Sequence, residues 1–191
     1  LIFADKDRKN TIKAIDRLSK RGLTTKKTEF NESTKSYNKE RQEFQEKIVD
    51  NFFKGKISQS NPEIIFLGGA PGSGKSEMVL KQIKNLNEYI IVDNDTIKAM
   101  LPEYRGYNAP LLHDEASDIY DSILNRAVAE RKNIIFDATL KNQERAIKNI
   151  NAFKEAGFVT KVFATNVDVS INVPRVAERF IKHGRYVPIE Y

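Results

Sequence analysis

Ile64-Ile65-Phe66-Leu67-Gly68-Gly69-Ala70-Pro71-Gly72-Ser73-Gly74-Lys75-Ser76 decides how this chain is read. Four apolar residues run into glycines, and Gly69 to Ser76 then spell G-x-x-x-x-G-K-[ST]. The physical content of that spacing is a buried strand that stops and a loop that Gly69, Gly72 and Gly74 allow to bend. The loop turns its backbone N–H groups inward around phosphate. Lys75 then reaches the terminal phosphates of a nucleotide, and Ser76 offers a hydroxyl to magnesium. An apolar-periodic stretch follows directly (Val79, Ile83, Leu86), so the helix expected after such a loop is present, over Glu77–Leu86.

Outward from the loop, short apolar runs alternate with longer amphipathic ones. The runs are Ile64–Leu67, Tyr89–Val92, Ile134–Phe136 and Val162–Ala164. Helical patterns lie at Glu77–Leu86, Asp114–Arg131, Gln143–Ala156 and about Ile171 to His183, the last with Pro174 in its first turns. This alternation predicts an α/β fold, a parallel sheet of the P-loop kinase type flanked by helices. Residues 58–191 form that core, and residues 1–57 read as a basic helical extension. In the extension Ile12, Ile15 and Leu18 share a helix face, stopped at Gly22. Thr24 to Lys35 has no period and reads as a loop. A second helix, near Tyr37 to Phe53, presents Phe44, Ile48, Val49 and Phe52 to the core.

Composition narrows the class. The 191 residues include no cysteine, which excludes disulfides and thiolate metal sites and agrees with a cytoplasmic protein. No apolar run reaches membrane-spanning length, and no secretory signal is visible, so no membrane partner is expected. The first residue is Leu1, and both ends are taken as arbitrary cuts. The net charge of +6 sits wholly in residues 1–60, where 15 Lys and Arg face 9 Asp and Glu; residues 61–191 hold 17 of each sign. A solvated lysine-rich helix face accounts for this better than a nucleic-acid surface.

Ligands of parallel α/β sheets gather at the carboxyl ends of the strands. After the second strand comes Asp93-Asn94-Asp95-Thr96, and after the third Asp137-Ala138-Thr139-Leu140-Lys141. Asp137 sits where a magnesium-associated acid belongs. Asp95 sits further out, where it would take a proton from an attacking hydroxyl, whereas Asp93 reads as the cap of the next helix. Asp114, Asp118 and Asp121 share a helix face whose end is expected at the substrate cleft, with Asp121 as the candidate. His113-Asp114 has too few companion ligands for a metal pair, because the only other histidine is His183. Past the last strand, Arg175 and Arg179 share a helix face and Arg185 follows beside Gly184. These guanidinium groups would neutralise charge on a transferring phosphoryl group.

Taken together, Gly68 to Ser76, Ile91-Val92-Asp93-Asn94-Asp95-Thr96, Ile135-Phe136-Asp137-Ala138-Thr139 and an arginine helix ending Gly184-Arg185-Tyr186-Val187-Pro188 resemble the zeta toxin family. Its members are bacterial P-loop kinases of toxin–antitoxin systems that phosphorylate the sugar of UDP-N-acetylglucosamine. The resemblance covers about Pro62 to Pro188. It implies that Gly69, Ala70, Pro71, Gly72, Ser73, Gly74, Lys75 and Ser76 hold ATP, with Arg179 nearby, and that Ser76 and Asp137 face Mg2+. It also implies Asp95 as general base, Arg175 and Arg185 as phosphate clamps, Thr139, Asp121 and Lys141 as substrate contacts, and an antitoxin partner. The chain departs from the family's E-G-T pattern at Asp137-Ala138-Thr139, shorter by one methylene at the acid, and the family's fold continues past the arginine turn. Two other readings stay open: a kinase of polynucleotide ends or NAD-like nucleotides, and a nucleotide-gated binding module. The second lacks an N-K-x-D base-reading motif, since Asn166-Val167-Asp168 has no lysine.

Overall fold

Neighbouring side chains of the central strands serve two different cores, which is what a parallel sheet covered on both faces requires. Ile64, Phe66, Ile90, Val92, Ile134 and Phe136 pack on one side, and Ile65, Leu67, Tyr89 and Ile135 on the other. The computed structural model describes residues 10, 13, 17, 18, 20–70, 72–137 and 143–183.

Residues 10, 13, 17, 18 and 20 are helical, and a turn at Gly22 (φ 73°) follows, closed by the Leu23 N–H to the Leu18 carbonyl at 3.2 Å, the left-handed stop expected there. Residues 24–37 are not the loop that the missing period implied. Thr24 caps a short helix α1 (Thr25–Glu29), and β1 (Phe30–Asn31) and β2 (Ser36–Tyr37) form an antiparallel hairpin. Local side-chain bonds build it: the Asn31 carboxamide oxygen accepts from Ser33 N–H (2.9 Å) and Thr34 N–H (3.3 Å), and Phe30 packs edge-on against Tyr37. Helix α2 (Lys39–Phe53) follows, capped by Asn38, and buries Ile48, Val49 and Phe53 in the first core.

Strands β3 (Glu63–Gly68), β4 (Tyr89–Val92), β5 (Asn133–Asp137) and β6 (Val159–Ala164) make one parallel sheet in the order β4-β5-β3-β6. Helices α4 (Asn94–Met100), α5 (His113–Ala129) and α6 (Gln143–Glu155) join α2 on the first core. On the second core lies α3 (Lys75–Leu80). It is shorter than the sequence pattern indicated. Asn85 takes a left-handed conformation (φ 56°), and a single 3-10 turn at Leu86–Glu88 leads into β4. Val79, Ile83 and Leu86 still face the core, so the periodicity marked the inward residues and not the helix length. Helix α7 (Val169–His183) starts two residues earlier than expected, because the Asp168 carboxylate accepts from Ser170 N–H at 2.8 Å. Pro174 therefore stands in the helix interior, where it has no N–H to give the Ser170 carbonyl. Among the described residues no helix is long and apolar enough to cross a membrane.

Candidate active site

The register of the sheet sets the site. Leu67 of β3 pairs with Asp137 of β5, and Gly68 pairs with Ala164 of β6, so the loop after Gly68 emerges between Asp137 on one side and Thr165 on the other. Thr165 ties the loop down. Its N–H donates to the Gly68 carbonyl (2.9 Å) and its hydroxyl to Ser73 Oγ (2.8 Å), with Ser73 only 3 % exposed. Gly69 (φ 149°) and Gly72 (φ 81°) then have no room for a side chain. A Cβ on Gly69 would stand 2.9 Å from Ser73 Oγ, and one on Gly72 would stand 3.0 Å from the Asn172 carbonyl of α7. Gly74 (φ 76°) is the left-handed residue that opens α3.

Lys75, the first residue of α3, places its ammonium 3.3 Å from Asp137 Oδ1, and both side chains are 15 % exposed. The cation and carboxylate picked out separately in the sequence therefore meet at the mouth of the sheet. From α7 the Arg175 guanidinium crosses to the loop and donates to the Gly72 carbonyl at 3.2 Å. Pro71, Thr139, Lys141 and Arg185, and the side chains of Ser76 and Arg179, lie outside the described residues.

Two strands away, at the end of β4, one of the two carboxylates has the structural place the sequence indicated. Asp93 is the cap of α4: its oxygens accept from Asp95 N–H and Thr96 N–H, both at 3.1 Å, and from the Thr96 hydroxyl at 2.8 Å. Asp95, in the first turn of α4, keeps its carboxylate 30 % exposed with the Lys98 ammonium 3.5 Å away. Asn94 beside it donates to Ser117 Oγ on α5 at 3.3 Å, which joins the start of α4 to the start of α5. Tyr104, half-buried in the segment between them, has its hydroxyl pKa pushed up by burial and by the Asp93 charge. On α5, Asp118 is taken up by the N-terminal segment, accepting from Tyr37 OH (2.6 Å) and pairing with Lys26 (2.8 Å). Asp121 is an exposed position of the same helix. Among the described residues no group of three or more His, Cys, Asp or Glu is placed to hold a metal ion.

The sequence model of the family described as Zeta toxin matches residues 46–191. The chain belongs to the zeta toxin family. A similar curated zeta-family relative is Toxin PezT of Streptococcus pneumoniae, 25% identical over 127 residues that cover 61% of this chain and 50% of the relative. The chain spans about half the length of the curated relatives it matches. Among solved structures, that of the PezAT chromosomal toxin–antitoxin system of Streptococcus pneumoniae superposes with a TM-score of 0.67 at 19% identity, covering 76% of this chain and 64% of that one. The AvrRxo1-ORF1:-ORF2 complex with ATP superposes with a TM-score of 0.61 at 16% identity, over 74% and 50%. These likenesses confirm the P-loop kinase-like α/β fold of a zeta toxin.

Two residues of this zeta-family site were not picked out in the sequence. Thr165 had a usable signal, because the residue just past a strand that flanks the P-loop strand must lie beside the loop. Lys98 had another: it stands three residues after Asp95 on the same helix, where side chains meet.

Proposed function

We propose that this chain is the kinase core of a zeta-type toxin, moving the terminal phosphoryl group of ATP to a hydroxyl of a nucleotide-type acceptor, with UDP-N-acetylglucosamine the first acceptor to test. The observation that carries the reading is the division of labour at the mouth of the sheet. Asp93 spends its oxygens on the α4 cap, Asp137 faces the P-loop lysine, and Asp95 stands partly exposed beside Lys98 in the first turn of α4.

The residues present fit a nucleotide's phosphates. Gly69 and Gly72 leave backbone where side chains would intrude, Gly74 takes the left-handed turn into α3, Lys75 supplies the cation, and Arg175 crosses the loop from α7. ATP supplies the activated phosphoryl group, and Mg2+ when bound offsets the charge of its phosphates. Lys75 would exchange its contact with Asp137 for phosphate oxygens, and Asp137 and Ser76 would hold the metal. Asp95 takes the proton of the acceptor hydroxyl as that oxygen bonds to the terminal phosphorus and the bond to the departing ADP breaks. Lys75 and Arg175 hold the charge that passes to the leaving group; Arg179 and Arg185 are assigned the same work from sequence. Thr139, Lys141 and Asp121 are assigned to the acceptor from sequence.

Less supports an oligonucleotide acceptor, because part of the basic N-terminal excess is spent internally: Lys26 pairs with Asp118, and Arg41 with Glu103 and Glu115. The partner proposed for this core is an antitoxin protein, on the analogy of the toxin–antitoxin assembly it resembles. The test is transfer of labelled phosphate from ATP to UDP-N-acetylglucosamine, NAD and a single-stranded oligonucleotide. Labelling of UDP-N-acetylglucosamine that is lost in Asp95→Asn is the expected result. ATP hydrolysis indifferent to every acceptor, or labelling of the oligonucleotide alone, would overturn the reading.

A further inference from the structure

Arg41 carries the most heavily engaged charge in the described molecule, and it lies before residue 46, where the match to the family begins. Its backbone is fixed in the first turn of α2 by the Asn38 cap (2.8 Å). Its guanidinium then forks between two carboxylates. Nε and Nη2 donate to Glu115 at 2.6 and 2.9 Å, and Nη1 and Nη2 donate to Glu103 at 2.8 and 3.0 Å. Glu115 has no exposed surface and accepts a further bond from Gln45 (2.8 Å); the Thr25 hydroxyl lies beside it without a fully formed hydrogen bond.

The two carboxylates belong to one structural unit. Glu103 lies in the segment between α4 and α5, which knits itself together through Asn108: its amide donates to the Glu103 carbonyl (2.8 Å) and its oxygen accepts from Arg105 N–H (2.7 Å). Glu115 is in the first turn of α5, two residues before Ser117, which receives the Asn94 side chain. Asn94 is the neighbour of Asp95. A second hook acts one turn further along α5, where Tyr37 and Lys26 grip Asp118. Among the described residues, the ion pairs and hydrogen bonds of Lys26, Tyr37, Arg41 and Gln45 with the domain are thus made to the α4–α5 unit. No such contact in the described residues reaches the P-loop, which is held from the other side by Thr165 and Arg175.

A buried ion pair is a poor way to gain stability, since well-packed apolar residues commonly do as well. What a planar guanidinium forked over two carboxylates does supply is a fixed orientation. We infer that Arg41 is a positioning residue: through Glu103 and Glu115 it locks the α4–α5 unit so that Asp95 meets the acceptor hydroxyl, leaving nucleotide binding to the other half of the site. This rests on the kinase reading above.

The test uses the whole chain with Glu103→Gln and Arg41→Lys. Glu103 is 40% exposed, so Glu103→Gln leaves the buried pair with Glu115 intact and the fold secure. Arg41→Lys keeps a cation for Glu115 but loses the fork. Expected in both is amide exchange about tenfold faster across residues 94–112 with the P-loop helix unchanged, as loosening of one cooperative unit requires. Transfer to the acceptor should fall, through kcat and acceptor KM, about tenfold, with ATP affinity within about twofold of wild type. Unchanged exchange at 94–112 overturns the inference. So does a parallel loss of ATP affinity and transfer that tracks melting temperature, which is what a merely structural role predicts. If wild type labels no acceptor, the kinase reading fails. The exchange and ATP-binding measurements would still decide whether Arg41 locks this unit separately from the P-loop.

Discussion

Replacing Lys75 with alanine should separate ligand binding from stability, because the side chain has one visible task in the unliganded protein. Its ammonium is 3.3 Å from Asp137, and each partner is 15% exposed. That places the pair between an exposed one, worth about 0–1 kcal/mol, and a buried one, whose disruption costs about 3–5 kcal/mol. The mouth of the sheet admits water to the freed carboxylate, so the lower part of the interval applies, about 1–2 kcal/mol. For a chain of 191 residues each kcal/mol moves the melting temperature by about 2–4 °C, so Lys75→Ala should melt roughly 2–8 °C lower. ATP·Mg2+ at a hundred times its dissociation constant stabilises the wild type by about 2.7 kcal/mol, a rise of about 5–10 °C. The variant should lose most of that rise along with phosphoryl transfer. Differential scanning calorimetry with and without ATP·Mg2+ measures both numbers on the same sample. A Lys75→Ala protein that keeps the full rise with nucleotide would refute the phosphate assignment. One that melts more than about 10 °C lower without nucleotide would show that the pair is structural in a way its exposure does not allow.

Asp95→Asn is nearly isosteric and removes the charge facing Lys98 together with the capacity to accept a proton; transfer should fall about a hundred- to ten-thousandfold with ATP affinity kept, measured by single-turnover labelling. Thr165→Val leaves Ser73 Oγ without its donor and loosens the loop, so the ATP dissociation constant should rise several-fold for about 1 kcal/mol of lost stability, read by calorimetric titration and melting. Glu115 gives a pH test with a definite sign. Burial pushes its carboxyl up, but the bonds from Arg41 and Gln45, with the Thr25 hydroxyl alongside, outweigh it and hold the pKa below the usual value of 4.5. A depressed carboxyl contributes stability above its unfolded pKa and loses it as pH falls through the folded value. In Arg41→Met burial dominates, the folded pKa rises above the unfolded one, and acid stabilises instead. The stability gap between wild type and Arg41→Met, followed by urea denaturation, should therefore narrow steadily from pH 7 to pH 4; a constant gap would mean that Glu115 is not the group responsible.

How far the sequence could be read depended on whether a feature is built from neighbours in the chain. The P-loop, its strand and the Asp93 cap are local, and each was legible from residue type and spacing alone. The boundaries of β3, β4 and β5 followed to within a residue because both faces of these strands are buried, giving continuous apolar runs bounded by turn residues, whereas the mostly exposed β6 begins three residues before its apolar run at Val162. The hairpin at 30–37 escaped because it is two residues wide on each side and is held by Asn31 and by packing on α5, not by any hydrophobic period. The true length of α3 escaped for the opposite reason: Val79, Ile83 and Leu86 keep helical spacing although the backbone between them turns. Long-range polar contacts were not legible at all. Nothing in Arg41 or Glu115 as letters marks them as partners 74 residues apart, and a buried glutamate reads as one more surface charge.

That last failure bears on how the site is put together. The two halves of the mouth are held by different means. The phosphate half depends on glycines without room for a Cβ and on β6 and α7 residues that tie the loop, all within the span matched by the family. The half that the proposed kinase reading gives to the acceptor depends on a cap, an Asn94–Ser117 contact and a carboxylate pair whose partner comes from before that span. Phosphate chemistry is the same for every ATP-dependent kinase, so a local loop suffices for it. An acceptor hydroxyl must be met at a defined distance and angle, and a helix start resting on one neighbouring helix leaves both adjustable. A second support from outside the core removes that freedom. On this argument, changes in Lys26, Tyr37 or Arg41 should alter which acceptors are used before they alter whether ATP is bound. Comparing acceptor panels for Tyr37→Phe and wild type checks this directly: identical panels with reduced ATP affinity would place the extension's role in the phosphate half instead.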